Sequence, residues 1–323
     1  MDKKPVLPII FGIPGLEIEK EWADFFQRVS PFGFILFARN LKEPKQIKRL
    51  VQQFHEVCNR DDLAILIDEE GGRFQRLPQP NWKRYPSARS LVEDGGSEEK
   101  IQQRIHQNYW ELGKGLKELG ITVDAAPVAD LLIPDAHDVI GDRAFASDPK
   151  NVAEFARACA NGLGEVGVIP TVKHLPGYGR AAVDPHEELP IVRETEDFLK
   201  KSDFLPFQML ADLPWGMSSH LLFPELDEKW PATLSKKIIS DIIRDWIGFK
   251  GMLVTDCLFM KALSGTMPER IQRCLEVGCD LALHSHGELA DLEKAVVGMQ
   301  PISVLSLERW EKSLDWVKEK AHS

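Results

Sequence analysis

Three features are scarce in this sequence, and each scarcity disfavours a class of protein. The five cysteines are scattered and form no Cys-x-x-Cys pair, so neither a disulfide framework nor a zinc knuckle is indicated, and reduced thiols are expected. The chain is acidic, with a net charge of −10, and has no dense lysine and arginine block, which disfavours nucleic-acid and membrane-surface partners. No apolar run reaches the roughly 18 residues of a membrane span.

The amino-terminal segment, MDKKPVLPIIFGIPG, has a superficial likeness to a signal peptide because an apolar run follows two lysines. That run is short, and Pro8, Gly12 and Pro14 interrupt it. It also lacks a small-x-small cleavage site. We therefore expect a cytoplasmic protein.

The sequence does contain a regular alternation of short apolar runs with longer amphipathic ones. The apolar runs predict strands at 7–13, 33–37, 64–68, 122–130, 169–174, 215–220, 251–256 and 280–284. The amphipathic runs predict helices at 18–29, 42–58, 98–119, 149–166, 197–210, 235–246, 268–277, 287–297 and 305–320. Apolar runs such as AILI, which suit burial on both faces, are typical of parallel strands.

About eight strand–helix units in 323 residues, with no linker, repeat or low-complexity segment, predict one α/β domain. This length fits a closed (β/α)8 barrel of the TIM type. The alternative is an open doubly wound sheet. The absence of G-x-G-x-x-G after the first strand counts against a dinucleotide-binding version of that alternative.

Polar side chains end six of the predicted strands. These are Asp68, Asp130, Lys173 with His174, His220, Asp256 and His284. In a barrel the carboxyl ends of all strands meet at one face, where active sites form. One polar strand end is unremarkable because helices need caps, and we interpret Asp130 as mostly structural. Six of them together predict a catalytic or ligand-binding face.

The chain is organised around residues 169–190, IPTVKHLPGYGRAAVDPHEELP. An apolar strand ends in Lys173 and His174, whose side chains should point in different directions because side chains alternate along a strand. The long loop that follows contains Asp184 and His186, and long irregular loops are often functional. A carboxylate beside an imidazole fixes its tautomer and favours its protonated form, so His186 is a candidate general acid and base. The alternative is a capping aspartate near an exposed histidine.

Three other places offer suitable chemistry. The segment DEEGGRFQR, residues 68–76, has glycines for a tight turn, with carboxylate and guanidinium groups suited to sugar hydroxyls. Arg143 lies in the loop after the fourth strand, and Asp256 is a candidate nucleophile or electrostatic stabiliser. The alternatives are a salt-bridged surface loop, a solvated arginine and a helix-capping aspartate. For Lys173 and His174, the alternative is a core histidine bonded to a backbone carbonyl.

His220, His284 and His286 raise the question of a metal, because histidines with carboxylates on a barrel face can hold a divalent ion. No clustered carboxylates accompany the three, and no His-x-His occurs in the first strand. We expect neither a metal nor another cofactor. Ser219 precedes His220, but no G-x-S-x-G motif supports a serine hydrolase.

Taken together, the motifs resemble those of glycoside hydrolase family 3, and most closely its single-domain bacterial β-N-acetylhexosaminidases. The matches follow the family order across nearly the whole chain. They are GFILFARN at 33–40, DEEGGRFQR at 68–76, KHLPGYG at 173–179, DPHEELP at 184–190, PATLS at 231–235 and TDCLFM at 255–260.

The resemblance implies specific roles for individual residues. Asp256 would be the nucleophile that forms a glycosyl-enzyme, and His186 would be the general acid and base, oriented by Asp184. The resemblance also implies a set of residues that bind the terminal N-acetylglucosamine. These are Asp68, Arg76, Arg143, Lys173 and His174.

The implied activity is removal of β-linked N-acetylglucosamine from the non-reducing end of a peptidoglycan fragment, GlcNAc-1,6-anhydro-MurNAc with or without peptide, in cell-wall recycling. The chain departs from the family pattern at three positions. Tyr178 replaces the second histidine of the glycine loop, Cys257 stands where many members have a second aspartate, and Pro185 replaces a common serine. Pro185 also restricts Asp184 to extended geometry.

Larger relatives have a further domain that can lend a carboxylate, whereas this chain ends shortly after its eighth unit. The acid/base is therefore expected from a barrel loop, which offers Asp184 and His186. The expected partner is a small sugar or muropeptide, and the expected oligomeric state is a monomer. The alternative functions are a β-glucosidase, a glycoside phosphorylase and a non-catalytic sugar-binding barrel.

Overall fold

The computed structural model describes residues 4–134 and 136–322, and its eight parallel strands close into a barrel. Each strand pairs with its neighbours in sequence, and β1 pairs with β8 to complete the ring. The strands are β1 (Leu7–Gly12), β2 (Pro31–Leu36), β3 (Ala64–Ile67), β4 (Val123–Asp124), β5 (Ile169–Leu175), β6 (Trp215–Ser218), β7 (Met252–Cys257) and β8 (Leu281–His284). The predicted (β/α)8 barrel is confirmed, and the open sheet is excluded.

Helices connect the strands and form the outer layer. They are α1 (Lys20–Val29), α2 (Pro44–Cys58), α3 (Ala88–Glu93), α4 (Glu98–Leu119), α5 (Pro149–Glu165), α6 (Glu196–Lys201), α7 (Leu205–Met209), α8 (Met267–Val277), α9 (Leu289–Ala295) and α10 (Val304–Lys320). A π-helix, Ile238–Trp246, lies between β6 and β7. In the part of the chain that the structure describes, no helix combines the length and apolar character of a membrane span.

Strand alternation divides the core into two layers, as expected when successive side chains point to opposite faces. One layer fills the barrel interior, and the other lies between the barrel and the helices. In α2 the periodic residues Ile47, Leu50, Val51 and Phe54 are buried, which matches the spacing that predicted this helix. The interior layer includes Ile10, Phe32, Ile35, Leu66, Val123, Trp215, Met217, Val254 and Leu283.

The fourth strand is much shorter than the predicted run 122–130. It covers only Val123–Asp124, and Val128 then forms an isolated bridge to Lys173. Pro127 interrupts the run because proline has no N–H to donate to a sheet ladder. The shortened strand leaves Asp130 in an irregular segment beside the end of β5.

Two helix predictions also need correction, and one short helix was not predicted. The predicted helix 197–210 is two helices, α6 and α7, and Pro206 lies in the first turn of α7, where its missing N–H costs least. The predicted helix 235–246 is the π-helix. The helix α3 was not predicted because its six residues are too few to show a clear period, although Ser87 caps it through the N–H of Ser90.

Helix α10 closes the amino-terminal end of the barrel. Trp310 packs edge-on against Phe32 and Trp215, with ring centroids 5.3 and 5.9 Å apart respectively. Beside this aromatic group, the buried Asp280 accepts hydrogen bonds from Ser306 and Arg309 of the same helix. The opposite, carboxyl end of the barrel is left open for a site.

Candidate active site

A cavity of about 670 Å³ opens at the carboxyl ends of the strands. This volume lies in the range usual for small-molecule sites. All eight residues predicted to form the site line it: Asp68, Arg76, Arg143, Lys173, His174, Asp184, His186 and Asp256. The structure therefore brings the predicted residues together at the carboxyl end of the barrel, which we call its mouth, while their individual roles remain predictions.

Opposite charges from three strand ends meet on one side of this cavity. Lys173 Nζ lies 3.0 Å from Asp68 Oδ1 and 2.6 Å from Glu70 Oε1. Glu70 also accepts two hydrogen bonds of 2.8 Å from the guanidinium of Arg143. Arg76 Nη2 approaches Asp68 Oδ2 at 3.5 Å. These bonds fix the carboxylate of Asp68 at the cavity wall, where it can accept sugar hydroxyls.

The mutual attraction of these charges outweighs the effect of burial on their pKa values. Burial alone would raise the pKa of Asp68, but Lys173 and Arg76 hold it below its usual value. Burial would also raise the pKa of Glu70, but Arg143 and Lys173 lower it well below its usual value. For Lys173, burial lowers the pKa less than Asp68 and Glu70 raise it. The cluster therefore remains ionised at neutral pH.

Asp130 fixes the orientation of His174 through hydrogen bonds to its ring and its backbone. Its Nδ1 lies 2.7 Å from Asp130 Oδ2, and its backbone N–H also donates to that carboxylate. This bond leaves Nε2 for the cavity, and it agrees with the structural role predicted for Asp130. Both Lys173 and His174 line the cavity, and they contact different partners, Lys173 the carboxylates of Asp68 and Glu70 and His174 that of Asp130. The register of β5 against β6 shifts between Lys173 and Leu175, which interrupts the regular alternation.

Asp184 and His186 form a hydrogen-bonded pair on the loop after β5. His186 Nδ1 lies 2.7 Å from Asp184 Oδ1, and the His186 backbone N–H donates to the same oxygen at 2.9 Å. Burial would raise the pKa of Asp184, but these two hydrogen bonds lower it below its usual value. The His186 side chain is 60% exposed, so its second ring nitrogen is accessible from the cavity. Pro185 thus does not prevent the pair from forming.

Asp256 lies near the end of β7, on the wall formed by the last strands. Its Oδ1 accepts a hydrogen bond of 2.6 Å from the N–H of Cys257, which orients the carboxylate. The carbonyl of Cys257 in turn accepts a hydrogen bond of 3.0 Å from Nε2 of the buried His220. Burial lowers the pKa of His220, so this histidine is a neutral support at physiological pH.

The histidines considered for a metal do not converge. His284 packs edge-on between Phe11 and Phe259, whereas His286 lines the cavity. Within residues 4–134 and 136–322, no three histidine, cysteine, aspartate or glutamate side chains are grouped so as to hold an ion. Burial lowers the pKa of His284 to about 4, which agrees with its apolar surroundings.

Sequence reasoning missed several residues of this cavity. Glu70, the common partner of Lys173 and Arg143, stood inside a quoted motif without a role, and its ion pairs span residues too distant in sequence to be inferred. An aromatic wall was also missed: the His286 ring packs against Phe37 and Phe259, with ring centroids 5.6 and 5.9 Å away respectively. The phenylalanine at the end of β2 could have indicated this wall, because strand ends face the mouth.

Comparisons with known proteins agree with this geometry. The model of the glycosyl hydrolase family 3 N terminal domain matches residues 14–307. A β-hexosaminidase of Bordetella avium is 33% identical over 290 residues, which cover 87% of this chain and 82% of the relative. A β-hexosaminidase of Pseudomonas aeruginosa is 32% identical over 299 residues, which cover 92% and 87%.

A solved structure of NagZ from Neisseria gonorrhoeae in complex with N-trifluoroacetyl-D-glucosamine superposes with a TM-score of 0.87 at 28% identity. The match covers 99% of this chain and 94% of that protein. The family model, the close relatives and the shared barrel agree over most of the chain. This chain therefore belongs to glycoside hydrolase family 3 and is an enzyme of the β-hexosaminidase type.

Proposed function

We propose that this enzyme is a retaining exo-β-N-acetylglucosaminidase that acts on peptidoglycan fragments, GlcNAc-1,6-anhydro-MurNAc with or without peptide. One observation supports the chemistry above all others: Asp256 and the Asp184–His186 pair line the same cavity as the charged cluster of Asp68 and Lys173. The complex of the Neisseria protein with N-trifluoroacetyl-D-glucosamine supports the choice of sugar.

The first step would be attack of Asp256 on the anomeric carbon. Because the Cys257 N–H holds Oδ1, Oδ2 is the oxygen expected to form the new bond to carbon. The bond from the anomeric carbon to the leaving oxygen breaks, and that oxygen takes a proton from His186. Since Nδ1 of His186 faces Asp184, the proton would come from Nε2. Proton transfer of this kind contributes about 10²–10⁴-fold to a rate.

The second step would release the sugar. Neutral His186 takes a proton from water through Nε2, and the water oxygen bonds to the anomeric carbon from the side that the leaving group left. The bond between that carbon and Asp256 Oδ2 breaks, which restores the carboxylate. Two displacements at the same carbon retain its configuration, as in other glycosidases with a covalent intermediate.

Asp68, Arg76, Arg143, Lys173 and His174 would bind the terminal sugar in this scheme. Asp68 and Lys173 present a charged acceptor and a charged donor, which form the stronger hydrogen bonds. Arg143 is 9% exposed and is bonded to Glu70 through two nitrogens, so its contact with the sugar would come from the edge of its guanidinium that faces the cavity. The cytoplasmic location and the monomeric state remain predictions.

The test is product analysis with the purified protein. We expect release of nitrophenol from p-nitrophenyl β-N-acetylglucosaminide, much slower release from the matching β-glucoside, and N-acetylglucosamine as the product from GlcNAc-1,6-anhydro-MurNAc. Well-folded protein that turns over neither N-acetylglucosamine substrate would contradict the proposal. Activity on the nitrophenyl glycoside alone would support the hexosaminidase reaction but contradict the proposed peptidoglycan substrate.

A glycoside phosphorylase is the second candidate, because a histidine acid/base adds no negative charge that would repel a phosphate acceptor. The same assay separates the two when phosphate is added. Hydrolysis should yield the free sugar at an unchanged rate, whereas a phosphorylase would form a sugar 1-phosphate.

A further inference from the structure

Tyr178 has an unusual position in the candidate site. It lies two residues beyond Pro176 in the glycine loop, it is 3% exposed, and it still lines the cavity. Its backbone N–H donates to Asp130 Oδ1 at 2.7 Å, and its ring centroid lies 5.3 Å from that of His174. The backbone and the ring are therefore fixed by residues already placed at the cavity.

The Tyr178 hydroxyl, in contrast, is buried and has no hydrogen-bond partner among the residues that the structure describes. A buried donor without a partner costs about 1–3 kcal/mol, so such groups in native proteins need an explanation. In the described chain, the buried polar atoms that lack a partner include only two that belong to cavity-lining side chains. The other is Nε of Arg76, a residue that the family resemblance assigns to the sugar.

The surroundings keep this hydroxyl in its donor form. Burial is the main cause that raises the pKa of Tyr178, and the negative charges of Asp256 and Asp184 raise it further. The phenol therefore keeps its proton at neutral pH. Tyr178 also lines the same cavity as Asp256 and the Asp184–His186 pair, where the reacting sugar would sit.

We infer that the Tyr178 hydroxyl is a substrate-binding group that donates a hydrogen bond to an oxygen of the sugar held beside Asp256. This inference rests on the proposed function, since it needs a sugar in the cavity. It assigns a purpose to one of the three positions at which this chain departs from the family pattern, the one where tyrosine replaces histidine. A tyrosine there supplies a neutral donor whose strength does not change near neutral pH.

The test is Tyr178→Phe, which removes the hydroxyl and keeps the ring that packs on His174. We expect kcat/KM for p-nitrophenyl β-N-acetylglucosaminide to fall about tenfold, because a hydrogen bond to the sugar is lost. We expect the melting temperature to stay unchanged or to rise, because the variant no longer buries a donor without a partner. A purely structural tyrosine would not combine lower activity with equal or higher stability.

The matched control is Tyr85→Phe, the same change at a half-buried tyrosine outside the cavity, and it should leave kcat/KM unchanged. Binding of N-acetylglucosamine, followed by calorimetry, should weaken in Tyr178→Phe and stay the same in the control. If the wild type cleaves the substrate and Tyr178→Phe matches it in kcat/KM and in binding, this inference alone is overturned. A wild type that neither cleaves nor binds the sugar removes the proposed function and this inference together.

Discussion

Buried carboxylates at the two ends of the barrel have different partners. At the amino-terminal end, Asp280 accepts hydrogen bonds from Ser306 and Arg309 on one oxygen, and from Arg244 and the Leu253 N–H on the other. At the carboxyl end, Glu69 and Asp124 are 0% exposed, yet each has one oxygen without a partner in the described structure. The buried carboxylate of Asp280 is paired on both oxygens, whereas among the residues that the structure describes those of Glu69 and Asp124 are each paired on one oxygen only.

This difference separates stability from function. A fully paired buried charge holds elements together, and Asp280 joins α10, the π-helix and the start of β7. Unpaired polar atoms near a binding site cost stability, and proteins retain them mainly where a ligand or a reaction requires them. Substitutions of cavity-lining residues should therefore change activity more than stability, and substitution of Asp280 at the closed end should do the reverse.

The largest effect is expected for Asp256→Ala at the mouth. Removal of the nucleophile should lower kcat by about 10⁴-fold or more, as loss of one member of a catalytic group commonly does. The free energy of unfolding in urea should change little, because Asp256 is only partly buried and accepts its hydrogen bond from the N–H of the adjacent Cys257. The exposed Asp61→Ala is the control and should alter neither property. Normal turnover by Asp256→Ala would remove this residue from its role.

His186→Ala should have the next largest effect, and its size should depend on the leaving group. With GlcNAc-1,6-anhydro-MurNAc, whose leaving oxygen needs a proton, kcat/KM should fall about 10²–10⁴-fold. With a p-nitrophenyl glycoside the fall should be smaller, because nitrophenolate leaves without protonation. Equal losses on the two substrates would contradict the acid role, and both rates are measured with one enzyme preparation.

Asp280→Ala tests the opposite end of the barrel. It leaves Arg244 and Arg309 without their shared carboxylate, and breaking a buried ion pair in this way costs about 3–5 kcal/mol of unfolding free energy. The free energy is measured by urea unfolding, with Asp280→Asn expected to lose less because one acceptor oxygen remains. At temperatures where the variant is folded, kcat/KM should equal that of the wild type. A loss of activity in folded protein would contradict the assignment of Asp280 to stability alone.

The smallest effect is expected for Glu69→Gln and should depend on pH. Burial raises the pKa of Glu69 from 4.5 to about 7, so its contribution to stability is present below pH 4.5 and is lost as the pH rises through 7. Glutamine keeps an acceptor for the N–H groups of Arg76 and Leu77 but cannot ionise. The variant should match the wild type near pH 4.5 and exceed its unfolding free energy by about 3 kcal/mol at pH 8.

The control for this prediction is the exposed Glu21→Gln, whose stability difference from the wild type should not vary with pH in this way. A constant difference across the pH range for Glu69→Gln would show that Glu69 carries no buried-charge cost. Glu69 would then resemble Asp280, whose buried charge is compensated by its partners.

Sequence reasoning was most successful where short-range pattern governs structure. The bounds of α4, Glu98–Leu119, agree with the prediction, and α2 begins two residues later than predicted and ends at the same cysteine. Both helices are long and have a clear apolar period. The predictions were poorest for β4, for the split between α6 and α7 and for α3, because prolines or short length remove the period there.

The sequence by itself determined the order of strands and helices, the barrel they form and the eight candidate site residues, because apolar spacing and motifs are properties of neighbouring positions. Only the tertiary structure decided which of those residues meet. Glu70 joins Lys173 to Arg143, His174 turns into the cavity beside Lys173, and Tyr178 keeps a buried hydroxyl without a partner in the described chain. These relations depend on how β3, β4 and β5 converge at the mouth, and strand convergence is a property of the closed barrel rather than of any local segment.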